Sequence, residues 1–193
     1  MKLLLSVLVV ASSLNVFAGL AQDFEQLKNL GLNLEPTGAI CEDVAQLRFA
    51  EKYPQPQYSV LTGIEYGDRD GTIGELDLVV FNNNTHIAEI VAEVKCWSSA
   101  KSGLKKAKDQ RNRFLTNVRS MRALQFKWLR DPKLPLAKTQ FKKVSRFYFI
   151  AQANTLDDGF DFELPYTLKE LMQLRSDILD CQASGACQKA GLH

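Results

Sequence analysis

Gly74-Glu75-Leu76-Asp77-Leu78-Val79-Val80-Phe81 and, twelve residues further on, Glu93-Val94-Lys95 decide how this chain is read. The first is an apolar run that carries acids, and the second ends another such run in a carboxylate and a lysine two apart. In a strand, residues i and i+2 face the same side, so Glu75 projects with Asp77, and Glu93 with Lys95. If the two strands pair, Asp77 meets Glu93 and Lys95. Two carboxylates and one ammonium then have the chemistry to hold a hard divalent cation and a water beside a phosphate.

The flanking sequence extends this pattern. Residues 21–32 read as a short helix. Cys41 to Tyr53 reads as a second, with Val44, Leu47 and Phe49 apolar and Pro54 just past its end. Tyr58 to Tyr66 is β-prone, and Gly67-Asp68-Arg69-Asp70-Gly71 is a turn cluster. Ile73 to Phe81 and His86 to Trp97 complete a meander of three strands. In the third, Ile87, Glu89, Val91, Glu93 and Lys95 share one face. The period then changes: Leu104, Ala107, Phe114, Val118, Met121 and Trp128 recur at helical spacing, which predicts a long helix stopped by Asp131-Pro132. Val144 to Ala151 reads as a buried strand and Pro165 to Leu179 as a final helix. Helix, three strands, long helix, strand, helix is the order of an α/β domain with a mixed central sheet.

A chain of 193 residues is long enough for one domain with a substantial core, and its 46% hydrophobic and 24% charged residues exclude disordered, collagenous and disulfide-dense miniprotein classes. Lys2, the apolar run Leu3 to Val10, the softer Ala11 to Asn15 and Val16-Phe17-Ala18 have the layout of a secretory signal peptide. Cleavage after Ala18 fits best, with Ala21 as the second choice. A membrane anchor is the rival, disfavoured because the run is short and carries Ser12, Ser13 and Asn15. The expected mature protein spans 19–193 as one domain with a helical extension, exported to the periplasm or beyond and without a membrane segment. Cys41, Cys96, Cys181 and Cys187 then suggest disulfides. Cys181 and Cys187 would close a small loop and leave Cys41 with Cys96. Three pairings exist, and sequence does not choose among them. Zinc is a weaker reading, because the spacing lacks paired CxxC knuckles and only two histidines exist.

Charge is unevenly spread. Residues 22–93 hold 13 acids and 4 bases, 94–146 hold 16 bases and 2 acids, and 147–193 hold 7 acids and 3 bases. An acidic centre beside a basic surface suits a bound polyanion, although a run of lysines is also an ordinary solvated helix face.

Glu42 on the first long helix, the Gly74-Glu75-Leu76-Asp77-Leu78-Val79 strand, Glu93-Val94-Lys95 and Gln110 together resemble the PD-(D/E)xK nuclease superfamily, most nearly its small YraN-like and Holliday-junction-resolvase-like members. The resemblance covers Ile40 to Ala151 and implies a restriction-endonuclease-like αβββαβ core, with a mixed central sheet flanked by helices. A signal peptide, cysteines and a C-terminal extension are not typical of the intracellular members.

The resemblance also implies roles. Asp77 and Glu93 would ligate Mg²⁺ or Mn²⁺ with the backbone carbonyl of Val94, and Glu42 would reach the metal directly or through water. Lys95 would orient or help deprotonate the attacking water and offset charge in the transition state. Gln110 would lie near the catalytic core. Lys101, Lys105, Lys106, Lys108, Arg111 and Arg113 would contact phosphates without reading bases. Glu75 would support the site or be an edge-strand acid. His86 and His193 read as surface residues, and Trp97 and Trp128 as core or rim aromatics. Cys41 precedes Glu42 and Cys96 follows Lys95, so a bond between them would staple the first helix to the end of the catalytic strand. The expected function is an exported, metal-dependent nuclease acting on DNA, with homodimerisation open as in many members. The alternatives are a silent nucleic-acid-binding module of the same fold and a disulfide-stabilised exported interaction protein.

Overall fold

The computed structural model describes residues 19–191. The expected signal peptide, residues 1–18, lies outside the described residues. The described residues divide into two compact units: Cys41–Leu164, and a smaller one of residues 19–40 with 165–191.

The smaller unit is held by backbone capture. Residues 19–27 are helical (α1). Helix α5 (Leu168–Ser184) begins at a capping box, in which Thr167 Oγ1 accepts the Glu170 N–H and Glu170 Oε2 accepts the Thr167 N–H at 2.8 Å. It ends at Gly185 in the left-handed region, φ 79°. Arg175 donates to the carbonyls of Leu34 and Glu35, both at 2.7 Å, and Gln182 donates to that of Leu32 at 3.1 Å. Cys181 and Cys187 are disulfide-bonded across the helix end.

The larger unit takes most of α2 (Ala39–Lys52), then β1 (Tyr58–Asp68), β2 (Gly71–Asn82), β3 (Ile87–Val94), α3 (Ala100–Arg119), β4 (Gln125–Trp128), β5 (Leu136–Ala137), α4 (Lys138–Phe141), β6 (Arg146–Ala151), a 3₁₀ turn (Leu156–Asp158) and β7 (Phe162–Glu163). The seven strands form one sheet in the order β5-β4-β1-β2-β3-β6-β7. Pairing is antiparallel from β5 through β3 and parallel for β3–β6 and β6–β7. This is the mixed α/β architecture read from the sequence.

Alternation within the strands distributes the helices. Phe114 and Val118 of α3 pack with Val79, Phe81 and Val91, and Leu104 and Ala107 pack with Phe149. Tyr148, between Phe147 and Phe149, points the other way and meets Phe49 of α2. Phe114 is fully buried and lies edge-on to Tyr66 and Phe141 at 5.5 and 6.3 Å. Phe114→Ala is therefore expected to lower the free energy of unfolding by about 3–5 kcal/mol, read as a lower urea midpoint.

Two local readings need correction. The long helix does not reach Trp128. It ends at Arg119, where Ser120 Oγ donates to the Asn117 carbonyl at 2.7 Å. Met121, which continues the helical spacing, is fully solvent-exposed. Phe126 and Trp128 instead obey the strand period, and β4 extends the sheet beside β1. The strict alternation expected along β3 also fails at one point. Val80 pairs with Ile90 but Phe81 pairs with Ala88, so the register slips across Glu89 and Ala88 joins Val91 in the core. Glu89 leaves the pattern to accept from Asn82 and Arg146, at 2.8 and 2.7 Å.

Candidate active site

The slip lies before Val91, so the end of β3 keeps its alternation where the acids and Lys95 sit. Leu78 pairs with Ala92 and Val79 with Val91, which brings Asp77 level with the end of β3. Asp77 Oδ2 accepts the Val94 N–H at 2.8 Å and is also hydrogen-bonded to Lys95 Nζ. The same ammonium lies 3.4 Å from Glu93 Oε2. Asp77 and Glu93 are 4% and 2% exposed. Among the described residues neither Glu93 oxygen has a hydrogen-bond donor of good geometry, and the cation paired with it is the Lys95 ammonium. Buried polar atoms are rarely left so, and burying a carboxylate without donors is costly.

The electrostatics follow. Burial, then the adjacent Asp77, raises the Glu93 pKa well above the ordinary carboxylate range, and Lys95 only partly opposes this. Glu42 on α2 belongs to the same cluster. Burial, then Asp77 and Glu75, pushes its pKa up to about 9 against the pull of Lys95. Glu75 is raised by burial, then by Asp77 and Glu65. For Lys95, burial acts downward, but Asp77 and Glu93 outweigh it and hold the ammonium above its usual value. As placed, Lys95 is a firmly protonated counter-ion rather than a free base.

Four acids facing one base have a consequence for stability. A carboxyl whose pKa is higher in the folded than in the unfolded protein binds more protons when folded, so stability falls as pH rises. For Glu42 the window runs from its ordinary 4.5 to about 9. In EDTA the melting temperature is expected to decline across that window, and to decline less steeply in Glu42→Gln. A flat profile common to both proteins would remove Glu42 from the cluster.

Among the described residues, no three His, Cys, Asp or Glu side chains stand close enough to ligate one metal ion. Lys95 already draws on both Asp77 and Glu93. The donor chemistry nonetheless fits a hard divalent cation. The available donors are carboxyl oxygens, those of Glu93 have no hydrogen-bond partner, and the carboxyls of the cluster outnumber its single ammonium. Asp77, Glu93 and Glu42 are the carboxyls that would have to move together to hold such an ion. Val94 is fixed at the end of β3, with its N–H spent on Asp77.

The other sequence candidates separate into groups. Gln110 is half-buried on α3 with its Oε1 buried and unpartnered. Lys101, Lys105, Lys106, Lys108 and Arg113 are exposed on that helix, while Arg111 is half-buried over the Phe149 ring, 5.2 Å from its centroid. His86 is exposed in the β2–β3 turn. Trp128 joins the core periphery and donates from its indole to the Thr62 carbonyl at 2.9 Å, whereas Trp97 is 43% exposed.

Cys41 and Cys96 form a disulfide, which ties the residue before Glu42 to the residue after Lys95. Three supports were not legible beforehand. The Ile150 carbonyl accepts the Lys95 N–H at 2.9 Å. Gln152 Nε2 donates to the Trp97 carbonyl at 2.8 Å. Gly103 lets α3 approach, because a Cβ there would stand 3.4 Å from Lys95 Cβ and 3.6 Å from Trp97 Cβ. Only Gly103 left a trace in the sequence, as a helix-weakening residue inside a helical pattern. No protein-family model, curated protein or solved structure matches the chain.

Proposed function

We propose that the protein is an exported, Mg²⁺- or Mn²⁺-dependent nuclease that hydrolyses phosphodiester bonds of DNA with water as the nucleophile. The observation that carries this reading is the meeting of Asp77, Glu93 and Lys95 at the end of β3, with both oxygens of the buried Glu93 lacking hydrogen bonds. The resemblance to the PD-(D/E)xK superfamily points the same way, and it is the source of the exported-nuclease reading together with the N-terminal sequence.

Asp77, Glu93 and Glu42 would hold the cation. A divalent ion so held would supply an acidified water and offset charge on the phosphate. With the acids engaged there, Lys95 would be freed from its double pairing. Its ammonium can then turn to the attacking water or to a non-bridging phosphate oxygen, where it offsets developing negative charge. The Val94 N–H keeps Asp77 oriented throughout. The exposed lysines of α3 supply the long-range attraction for a polyanion and make binding salt-dependent.

The test is relaxation or degradation of plasmid by purified mature protein in Mg²⁺, with EDTA as control. Cleavage that survives unchanged in both Asp77→Ala and Lys95→Ala would show that the site lies elsewhere. One observation favours a silent binding module instead: Lys95 pairs with both acids as the side chains stand. That reading expects salt-dependent DNA binding, no cleavage, and no rise in melting temperature with Mg²⁺.

A further inference from the structure

We propose that Trp97 stacks on an unpaired base of the strand whose phosphate enters the acid cluster, so that the substrate is single-stranded or locally unpaired nucleic acid. This rests on the nuclease reading above and narrows its substrate class.

Trp97 is a large aromatic left 43% exposed, and its backbone is fixed. Gln152, 9% exposed, holds its carbonyl at 2.8 Å. The preceding Cys96 is tied to Cys41, and Ser99, two residues on, caps α3 by accepting the Ser102 N–H. An indole on so constrained a backbone loses little entropy on binding.

Its position is also defined. The Cβ atoms of Lys95 and Trp97 both abut the same point of α3, at Gly103. The ammonium of the acid cluster and the exposed indole therefore spring from one short stretch, on the side that faces α3. Beyond Trp97, Lys101 and Lys105 are exposed one helical turn apart, and the first turn of α3 carries no acid. An aromatic platform beside a cationic track is the chemistry that binds single strands: the lysines take phosphates and the ring takes a base face. In an intact duplex the base faces are occupied by neighbouring bases, so a ring at the rim of the site gains nothing from them.

The experiment compares wild type, Trp97→Phe and Trp97→Ala in EDTA at low salt, with a labelled oligo-dT strand and a blunt duplex of the same length. The single strand is expected to quench tryptophan emission in wild type, and this quenching is lost in Trp97→Phe. Trp97→Ala should weaken single-strand binding roughly tenfold or more, with Trp97→Phe intermediate. Duplex affinity and the melting temperature should be unchanged. Unaltered single-strand affinity in Trp97→Ala, or equal quenching by the blunt duplex, overturns the proposal. If DNA is cut and Trp97→Ala cuts single strands as well as wild type, only the stacking role falls. If no nucleic acid is bound or cut, the nuclease reading falls with it.

Discussion

Glu93→Gln is expected to abolish Mg²⁺-dependent cleavage while making the metal-free protein more stable. The two effects have one cause. Glu93 places a carboxylate 2% exposed with neither oxygen hydrogen-bonded, next to Asp77 and with only a share of Lys95. Burial and Asp77 favour the uncharged form of Glu93. A neutral amide of the same shape removes the cost of ionising that buried acid, leaves Lys95 to pair with Asp77, and can donate to the Asp77 carboxylate. The benefit should therefore grow as pH rises through the range where the wild-type group ionises. The gain should be about 1–2 kcal/mol, seen as a melting temperature a few degrees higher in EDTA. On the proposed function the same substitution replaces a ligand of the cation, so cleavage should drop by at least about a hundredfold and the stabilisation by Mg²⁺ should largely vanish. Opposite movements of stability and activity distinguish a site built for a ligand from a group that merely packs. A Glu93→Gln protein that is less stable in EDTA, yet still stabilised by Mg²⁺ like wild type, would defeat the assignment.

Much of the framework behind this site could be read from residue order. The meander of β1, β2 and β3 announced itself by period two, and α3 by the spacing of Leu104, Ala107, Phe114 and Val118. The same reasoning overran the end of α3, because Met121 and Trp128 continue a helical spacing that no packing partner enforces. Met121 lies in solvent, and Trp128 belongs to a strand whose indole bonds the Thr62 carbonyl. The register slip at Glu89 was illegible for a different reason. It depends on Asn82 and Arg146, which reach Glu89 only once β2 and β6 are in place. At the site, the i, i+2 rule set Glu93 with Lys95, and strand pairing brought Asp77 to them. Glu42 entered through resemblance alone, since no periodicity relates a residue on α2 to the end of β3. The upward push on the acids was not legible in the sequence either, because it arises from burial that composition does not record.

The larger of the remaining expected effects concerns the bond between Cys41 and Cys96. These residues are 55 apart in sequence, whereas Cys181 and Cys187 are 6 apart. Chain entropy alone then assigns about 4 kcal/mol to the first bond and about 2 kcal/mol to the second. Position separates them further. Cys41 and Cys96 are 0% and 8% exposed and adjoin Glu42 and Lys95, so their bond fixes how far α2 can drift from the end of β3. The Cys41→Ala, Cys96→Ala double variant is expected to lose about 4 kcal/mol in urea unfolding. It should also lose most of its cleavage at temperatures where it remains folded, because a misplacement of an ångström in a charged site costs far more in rate than in stability. The Cys181→Ala, Cys187→Ala variant should lose about 2 kcal/mol and keep its activity, since that bond closes the end of α5 in the other unit. Thermal and urea unfolding with parallel plasmid assays measures both. Equal loss of activity in the two variants would mean that the Cys41–Cys96 bond supports the fold alone and leaves the placing of Glu42 and Lys95 to packing.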